Sequence, residues 1–394
     1  MLRFLTAGES HGEALVAMIS GLPAGLGVDE AFIDRELWRR QQGYGRGGRM
    51  KIEQDTAHIL SGVRDGKTIG SPISLLIENR DWQNWQESLP IGKGDPAKHK
   101  AVKSPRPGHA DLSGALKHNF PEARYVLERA SARESTARVA IGAIAKQFLR
   151  ELGIEVLSHV IAVGAVKSRS AQADWEQIRA LASREEVLLG CTDAESEQRM
   201  KAEVDRATEN RDTLGGVFEV VAHGVPPGLG TYAQWDERLD AQLAAAVMSV
   251  QAVKAAEIGT GVDAAFAPGS EVHDEIGYAG EIAEGQHTRF TRSTNRAGGI
   301  EGGMSNGEDI VVRGYVKPIA TLRRPLGSVS FETREPVKAA YERSDVCVVP
   351  AAGVVGEAMV ALTLARFALD KFGGDSMTET LRNYHGYLEQ LRNY

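Results

Sequence analysis

Aromatic side chains are scarce, at 6% of 394 residues, and there are only two cysteines, Cys191 and Cys347, far apart and outside any CxxC spacing. That argues against a disulfide scaffold or a cysteine zinc cluster, makes a reducing cytoplasm the expected compartment, and leads us to expect no metal. A basic balance is missing too. The formal net charge is −7, which argues against a general nucleic-acid binder. No apolar h-region follows Met1-Leu2-Arg3-Phe4-Leu5, so a signal peptide is not expected. The most apolar stretch, 346–365, is interrupted by Pro350 and Glu357 and reads as buried core, not as a membrane span. Neither GxGxxG after a strand nor GxxxxGK[ST] occurs, so the usual nucleotide-binding loops are absent.

What the chain has is glycine, 43 residues of it, and a hydrophobic share of 42%, enough for a large core. Three long helical patterns stand out, over about 121–152, about 236–257 with Asp236 as N-cap, and about 354–372 ending at Gly373-Gly374. The second and third are apolar nearly all round, which predicts helices buried on several sides. Strand-like runs at 73–77, 156–166, 217–224 and 310–316 lie between them. This predicts an α+β fold in one domain, 1–394, without Rossmann alternation. The polar, acidic segment at about 167–212 reads as peripheral.

Several constellations carry chemistry. The segment 39–51 holds five cations, no acid and four glycines. Arginine forks and close backbone approach together describe a clamp for a polyanion, although an exposed basic loop has the same composition. Gly8-Glu9-Ser10-His11-Gly12 sets a histidine between small residues, its ring predicted to be exposed in a cleft, where it could move a proton; a structural histidine is the plainer reading. In Ser104-Pro105-Arg106-Pro107-Gly108-His109-Ala110-Asp111, a stiff loop presents Arg106 and His109, and Asp111 either orients the imidazole or caps the next helix. Arg129-Ala130-Ser131-Ala132-Arg133-Glu134-Ser135 places cations and hydroxyls on a helical stretch, where an Arg–Glu ion pair with Glu134 partnering a neighbour would be the ordinary outcome, and where Arg133 in particular has a structural reading. The glycine-dense 294–307 loop could wrap a phosphate or a flat ring with backbone donors. Lys317-Pro318-Ile319-Ala320-Thr321 and Arg343-Ser344-Asp345 add cations beside apolar elements. The residues by themselves indicate an enzyme acting on a small anion. A flavin-dependent oxidoreductase on a carboxylated metabolite and an RNA-binding protein using the Arg/Gly loop stay open as alternatives.

The seven motifs GESHG, GYGRGGR, RPGHAD, RASARES, NRAGGIEGGMSNG, KPIAT and RSDVCVVPAAGVVGEAM stand in the order and spacing of the chorismate synthase family, which the chain resembles from Met1 to about Ser376. The resemblance implies a β-α-β sandwich with helices between antiparallel sheets, and a cytoplasmic homotetramer. It implies a lyase that eliminates phosphate from 5-enolpyruvylshikimate 3-phosphate, a 1,4-anti elimination that needs reduced FMN without net redox change. His11 resembles the histidine near the departing phosphate, and His109 the one at the reduced flavin. Arg40, Arg46 and Arg49 resemble substrate-binding arginines, and Arg106 and Arg133 are read the same way. Arg40 and Arg46 are also associated with NADPH in the family. Arg129, Ala130, Ser131, Gln251, Ala252 (the latter two in the second helix), Gly302, Lys317, Pro318, Ile319, Ala320, Thr321 and Arg343 match flavin contacts. Where some members carry an aspartate in the last buried helix, this chain has Arg366. With no appended reductase domain or nicotinamide fingerprint, an external flavin reductase is the expected electron source.

Overall fold

The computed structural model describes residues 1–47, 54–169, 174–283, 285–342 and 345–394. Strands β1 (Arg3–Ala7), β2 (Ala14–Ser20), β3 (His58–Ile59) and β4 (Ile73–Glu78) form an antiparallel sheet in the order β1-β2-β4-β3. A second antiparallel sheet contains β5 (Glu155–Val163), β6 (Val166–Lys167), β7 (Gly216–His223), β8 (Val253–Ile258) and β9 (Ile310–Val316), ordered β8-β9-β7-β5-β6. In β2 the alternation puts Leu15, Ala17 and Ile19 inward and leaves Val16 and Met18 outside, as a sheet with one covered face requires.

Between the sheets lie α1 (Glu30–Gln41), α4 (Ser135–Arg150) and α8 (Val349–Phe372), with α7 (Leu239–Met248) beside α8. Short helices α2 (Asp111–His118) and α3 (Arg124–Ala130) precede α4, while α5 (Trp175–Ala182), α6 (Ala194–Glu209) and α9 (Met377–Asn393) lie outside the central layer. Helix α4 touches the first sheet and α8 the second, so the layers run sheet, helices, sheet. The predicted sandwich is what forms. Helix α8 is long and apolar enough to cross a membrane by length alone, yet it is buried almost throughout. Small residues let the helices meet closely: a methyl group at Gly142 would come within 2.3 Å of the Ala358 Cβ.

One group of charges sits inside this layer. Glu357 of α8, with no exposure, accepts both Arg39 Nη1 (2.8 Å) and Nη2 (2.7 Å), the Lys146 ammonium, and the Ser158 N–H (2.8 Å) and hydroxyl (2.6 Å). Glu36 pairs with the same Arg39 and Lys146. Two acids and two cations thus cancel, tying α1, α4, α8 and β5 together.

Two helix predictions need correction. The 121–152 pattern is not one helix. It breaks after Ala130, where Ser131 turns to ψ 140° and its hydroxyl accepts the Arg133 N–H. The 236–257 pattern ends at Met248, and 253–258 is strand β8. Ala252 between them takes φ +69°, which no helix continues through. Asp236 does not cap that helix, which starts after Arg238.

Candidate functional site

The turn after β1 carries His11. Gly8 at φ +103° lets the chain pass so close to Ala14 and Leu15 that a side chain would collide with the Ala14 carbonyl. His11 is buried, at 8% exposure, and not displayed in an open cleft as expected. Its Nδ1 lies 2.9 Å from Glu128 Oε1, and its backbone N–H donates to Glu128 Oε2 at 2.8 Å. Burial raises the Glu128 carboxyl, but the hydrogen bonds from His11 and the Arg124 charge outweigh it and hold it below the usual range. An ionised Glu128 can only accept, so Nδ1 carries the proton and Nε2 is left for a ligand. The Trp85 ring lies 3.9 Å from the imidazole, centroid to centroid.

The arginines gather at the start of α4. Arg40, in the last turn of α1, donates through Nε to Ser135 Oγ at 3.0 Å and through Nη2 to the Ala132 carbonyl at 3.0 Å. Its Nη1 is buried and has no hydrogen-bond partner among the described residues, lying 3.7 Å from Asp55. Burial, with the nearby Arg133 and Arg46 charges, pushes its pKa down to about 9 against the pull of Asp55, so it stays a cation at neutral pH. Arg133 does not pair with Glu134: its Nη1 donates to both Asp55 oxygens (2.6 and 2.7 Å) and its Nε to Asn79 at 2.8 Å. Arg46 Nε lies 3.5 Å from Asp345, whose other oxygen accepts the Gly47 N–H at 2.5 Å. Arg49 and Arg343 lie outside the described residues.

The second histidine is held by a tighter device. Asp111, fully buried, accepts Arg106 Nε at 2.8 Å, Nη2 at 3.0 Å and the Arg106 backbone N–H at 3.0 Å, and lies 2.5 Å from His109 Nδ1. Burial raises Asp111, yet the His109 and Arg106 contacts hold it far below the ordinary carboxylate range. Of its two predicted roles, the structure selects orientation of the imidazole, since the carboxylate makes no capping bond to α2. Arg106, through Nη1, also donates to Thr321 at 2.9 Å. Its fork therefore braces His109 against the 317–321 segment.

A line of contacts joins the two halves. The Ser10 hydroxyl donates to Ser131 at 3.1 Å. Glu134 accepts Thr6, Arg138 and, at 2.7 Å, Gln251 Nε2. Arg129 reaches back to the Gly8 and Thr6 carbonyls from the end of α3, beside Ala130. The Lys317 N–H donates to the Ala252 carbonyl at 2.9 Å, and Thr321, four residues on through Pro318, Ile319 and Ala320, meets Arg106. Gln251 and Ala252 lie in the turn after α7, not in a helix, and Gln251 Oε1 is buried without a partner. Gly302 stands apart. Among the described residues of one chain, its loop bonds to the start of α7 and to 226–229, with no hydrogen bond to the Arg40 group. Arg366 lines a cavity of about 430 Å³ with Leu2, Phe4 and Met18. Asp345 is the acid beside Arg46.

Sequence reading missed Glu128, Asp55, Trp85 and Asn79, and gave Glu134 only as an ion-pair partner. Glu128 directly precedes the RASARES motif, which was the available signal; Asp55, 78 residues from Arg133, had none. The lowered carboxyls set an acid limit. Glu36 goes from 4.5 to about 2, its burial outweighed by Arg39 and Lys146, and Glu128, Glu134 and Asp111 are lowered as well. Their stabilisation is fully present above the unfolded carboxylate range and is lost as pH falls below about 4.5. Urea unfolding across the acid range should show stability falling steeply there; a flat profile would contradict the ion pairing.

A buried arginine with an unfilled donor, together with two histidines each held by a carboxylate, suits an enzyme that takes up an anion and handles protons. Comparison narrows that class. A family model described as chorismate synthase matches residues 2–369. A chorismate synthase of Acidobacterium capsulatum is 71% identical and one of Koribacter versatilis 70% identical, each over the full length of both chains. A solved structure, a crystal structure of chorismate synthase, superposes with TM-score 0.78 at 41% identity, covering 100% of this chain and 99% of the other. The chain belongs to the chorismate synthase family and has its function, that of a phosphate-eliminating lyase.

Proposed function

We propose that the chain converts 5-enolpyruvylshikimate 3-phosphate to chorismate by 1,4-anti elimination of phosphate and a C6 hydrogen, with reduced FMN and no net redox change. The observation that carries this is the Arg40 guanidinium, buried, charged and with Nη1 unfilled. The substrate has two carboxylates and a phosphate, and such a donor suits an anionic oxygen. Arg46 supplies a second charge beside it, and Arg49 is assigned to the substrate by resemblance alone. Arg133 holds Asp55 in place under Arg40.

Reduced FMN supplies electron density to the allylic system when bound. Residues on the rim fit such a group: Gln251 Oε1 is a buried acceptor lacking a donor, which a ring N–H can provide. Arg129, Ala130, Ser131, Ala252 and Lys317–Thr321 lie along the same line of contacts. Gly302 and Arg343 are assigned to the cofactor by resemblance alone. His11 presents Nε2 to the departing phosphate, where a proton or positive charge stabilises the growing anion. His109, fixed by Asp111, serves the flavin side. An external flavin reductase delivers the electrons; NADPH-driven reduction of FMN by the purified protein would overturn that. The active form is a cytoplasmic homotetramer.

The test is anaerobic phosphate release from the enolpyruvyl substrate with and without reduced FMN. Stoichiometric release of phosphate that needs reduced FMN without consuming it is the expected result. Oxidation of flavin in step with product would favour an oxidoreductase instead.

A further inference from the structure

We propose that Trp85 is a positioning residue for His11, fixing the plane of the imidazole so that Nε2 keeps one direction. This rests on the reading of His11 as the group that meets the leaving phosphate.

Glu128 alone does not fix the ring. Its bond to Nδ1 leaves the imidazole free to rock about the Nδ1–carboxylate line. The indole removes that freedom: its ring lies 3.9 Å from the imidazole with the planes 30° apart, so rocking drives one ring into the other. Trp85 is itself held. It follows the short helical turn Arg80–Asn84, its backbone N–H donates to the Trp82 carbonyl at 2.8 Å, and its Nε1 donates to buried Asp81 at 3.1 Å. The Lys100 ammonium sits 4.0 Å from the indole centroid and Arg124 5.2 Å away. Lys100 and Arg124 are tied to each other, since Arg124 Nε donates to the Lys100 carbonyl at 2.6 Å. The charged groups around the histidine are therefore Glu128 and Arg124 of α3 and Lys100, with Asp81 acting through the indole. An aromatic body pinned at its N–H and loaded with cations is a rigid wall. Nothing else in the predicted chemistry requires a tryptophan at this position.

Trp85→Ala should lower kcat about 10- to 100-fold while KM changes less than about twofold, because a slightly misdirected catalytic group costs rate and not binding. Trp85→Phe keeps a ring face and should recover to within about threefold of wild type. A second readout is independent of activity. An imidazole in contact with an indole quenches its fluorescence, so His11→Ala should raise tryptophan emission in the wild-type background and leave it unchanged in the Trp85→Phe background. Equal emission changes in both backgrounds, wild-type kcat in Trp85→Ala, a raised KM at constant kcat, or a Trp85→Phe variant as impaired as the alanine one would each overturn the proposal. If His11→Ala itself turned over normally, the underlying reading of His11 would fall, and the emission comparison would still decide the contact. That comparison also decides if Trp85→Ala fails to fold.

Discussion

Arg40→Ala is expected to lower kcat/KM by at least about 30-fold, since removing one partner of a buried, hydrogen-bonded charge pair costs about 2 kcal/mol or more. The side chain is buried at 5% exposure, two of its nitrogens are committed to Ser135 and Ala132, and the third has no acceptor within hydrogen-bond distance among the described residues. Arg40→Lys should not rescue it. An ammonium cannot hold both protein acceptors in their fixed directions and still present a donor to the substrate. Steady-state phosphate release for the two variants checks this; a lysine variant near wild type would show that charge alone suffices. Loss of Arg40 also relieves crowding with Arg133 and Arg46, whose charges help push its pKa down. The fold should therefore tolerate the change better than catalysis does.

Glu357→Ala is expected to destabilise the protein by about 3–5 kcal/mol, the cost of leaving buried cations unpaired. Both Arg39 and Lys146 would then face Glu36 alone, and the Ser158 N–H would lose its acceptor. Glu357→Gln keeps the shape and one carbonyl oxygen and should lose less. Urea unfolding of the three proteins measures the order. A loss of under about 1 kcal/mol for the alanine variant would mean that water or relaxation replaces the carboxylate. Arg39 and Arg40 are neighbours in the last turn of α1, so the same network also sets the direction from which Arg40 enters the site.

Much of the scaffold was legible because burial writes a pattern. The run that became α8 is apolar on every side and stops at Gly373, so both its burial and its end could be read. The run after Arg238 misled because Ala and Val fit a buried helix and a strand equally, and only the turn at 249–252 separates α7 from β8. The break at Ser131 depends on one hydroxyl turning to cap its own chain, which propensity does not register. The site was legible where its residues travel in one motif, as with Arg106, His109 and Asp111. It was not legible where partners are far apart in sequence. Glu128 lies 117 positions from His11, and Glu342 lies 218 from Arg124. The Arg–Glu pairing expected of Glu134 forms with Arg138, one helical turn on, while Arg133 turns to the distant Asp55.

The crossing of α4 and α8 at Gly142 and Ala358 leaves no room for either helix to slide past the other without backbone collision. A rearrangement that admits substrate is therefore expected in the segments around this crossing and not within it. The centre acts as a fixed anvil, and adaptation to different ligands has to be sought in the segments that surround it.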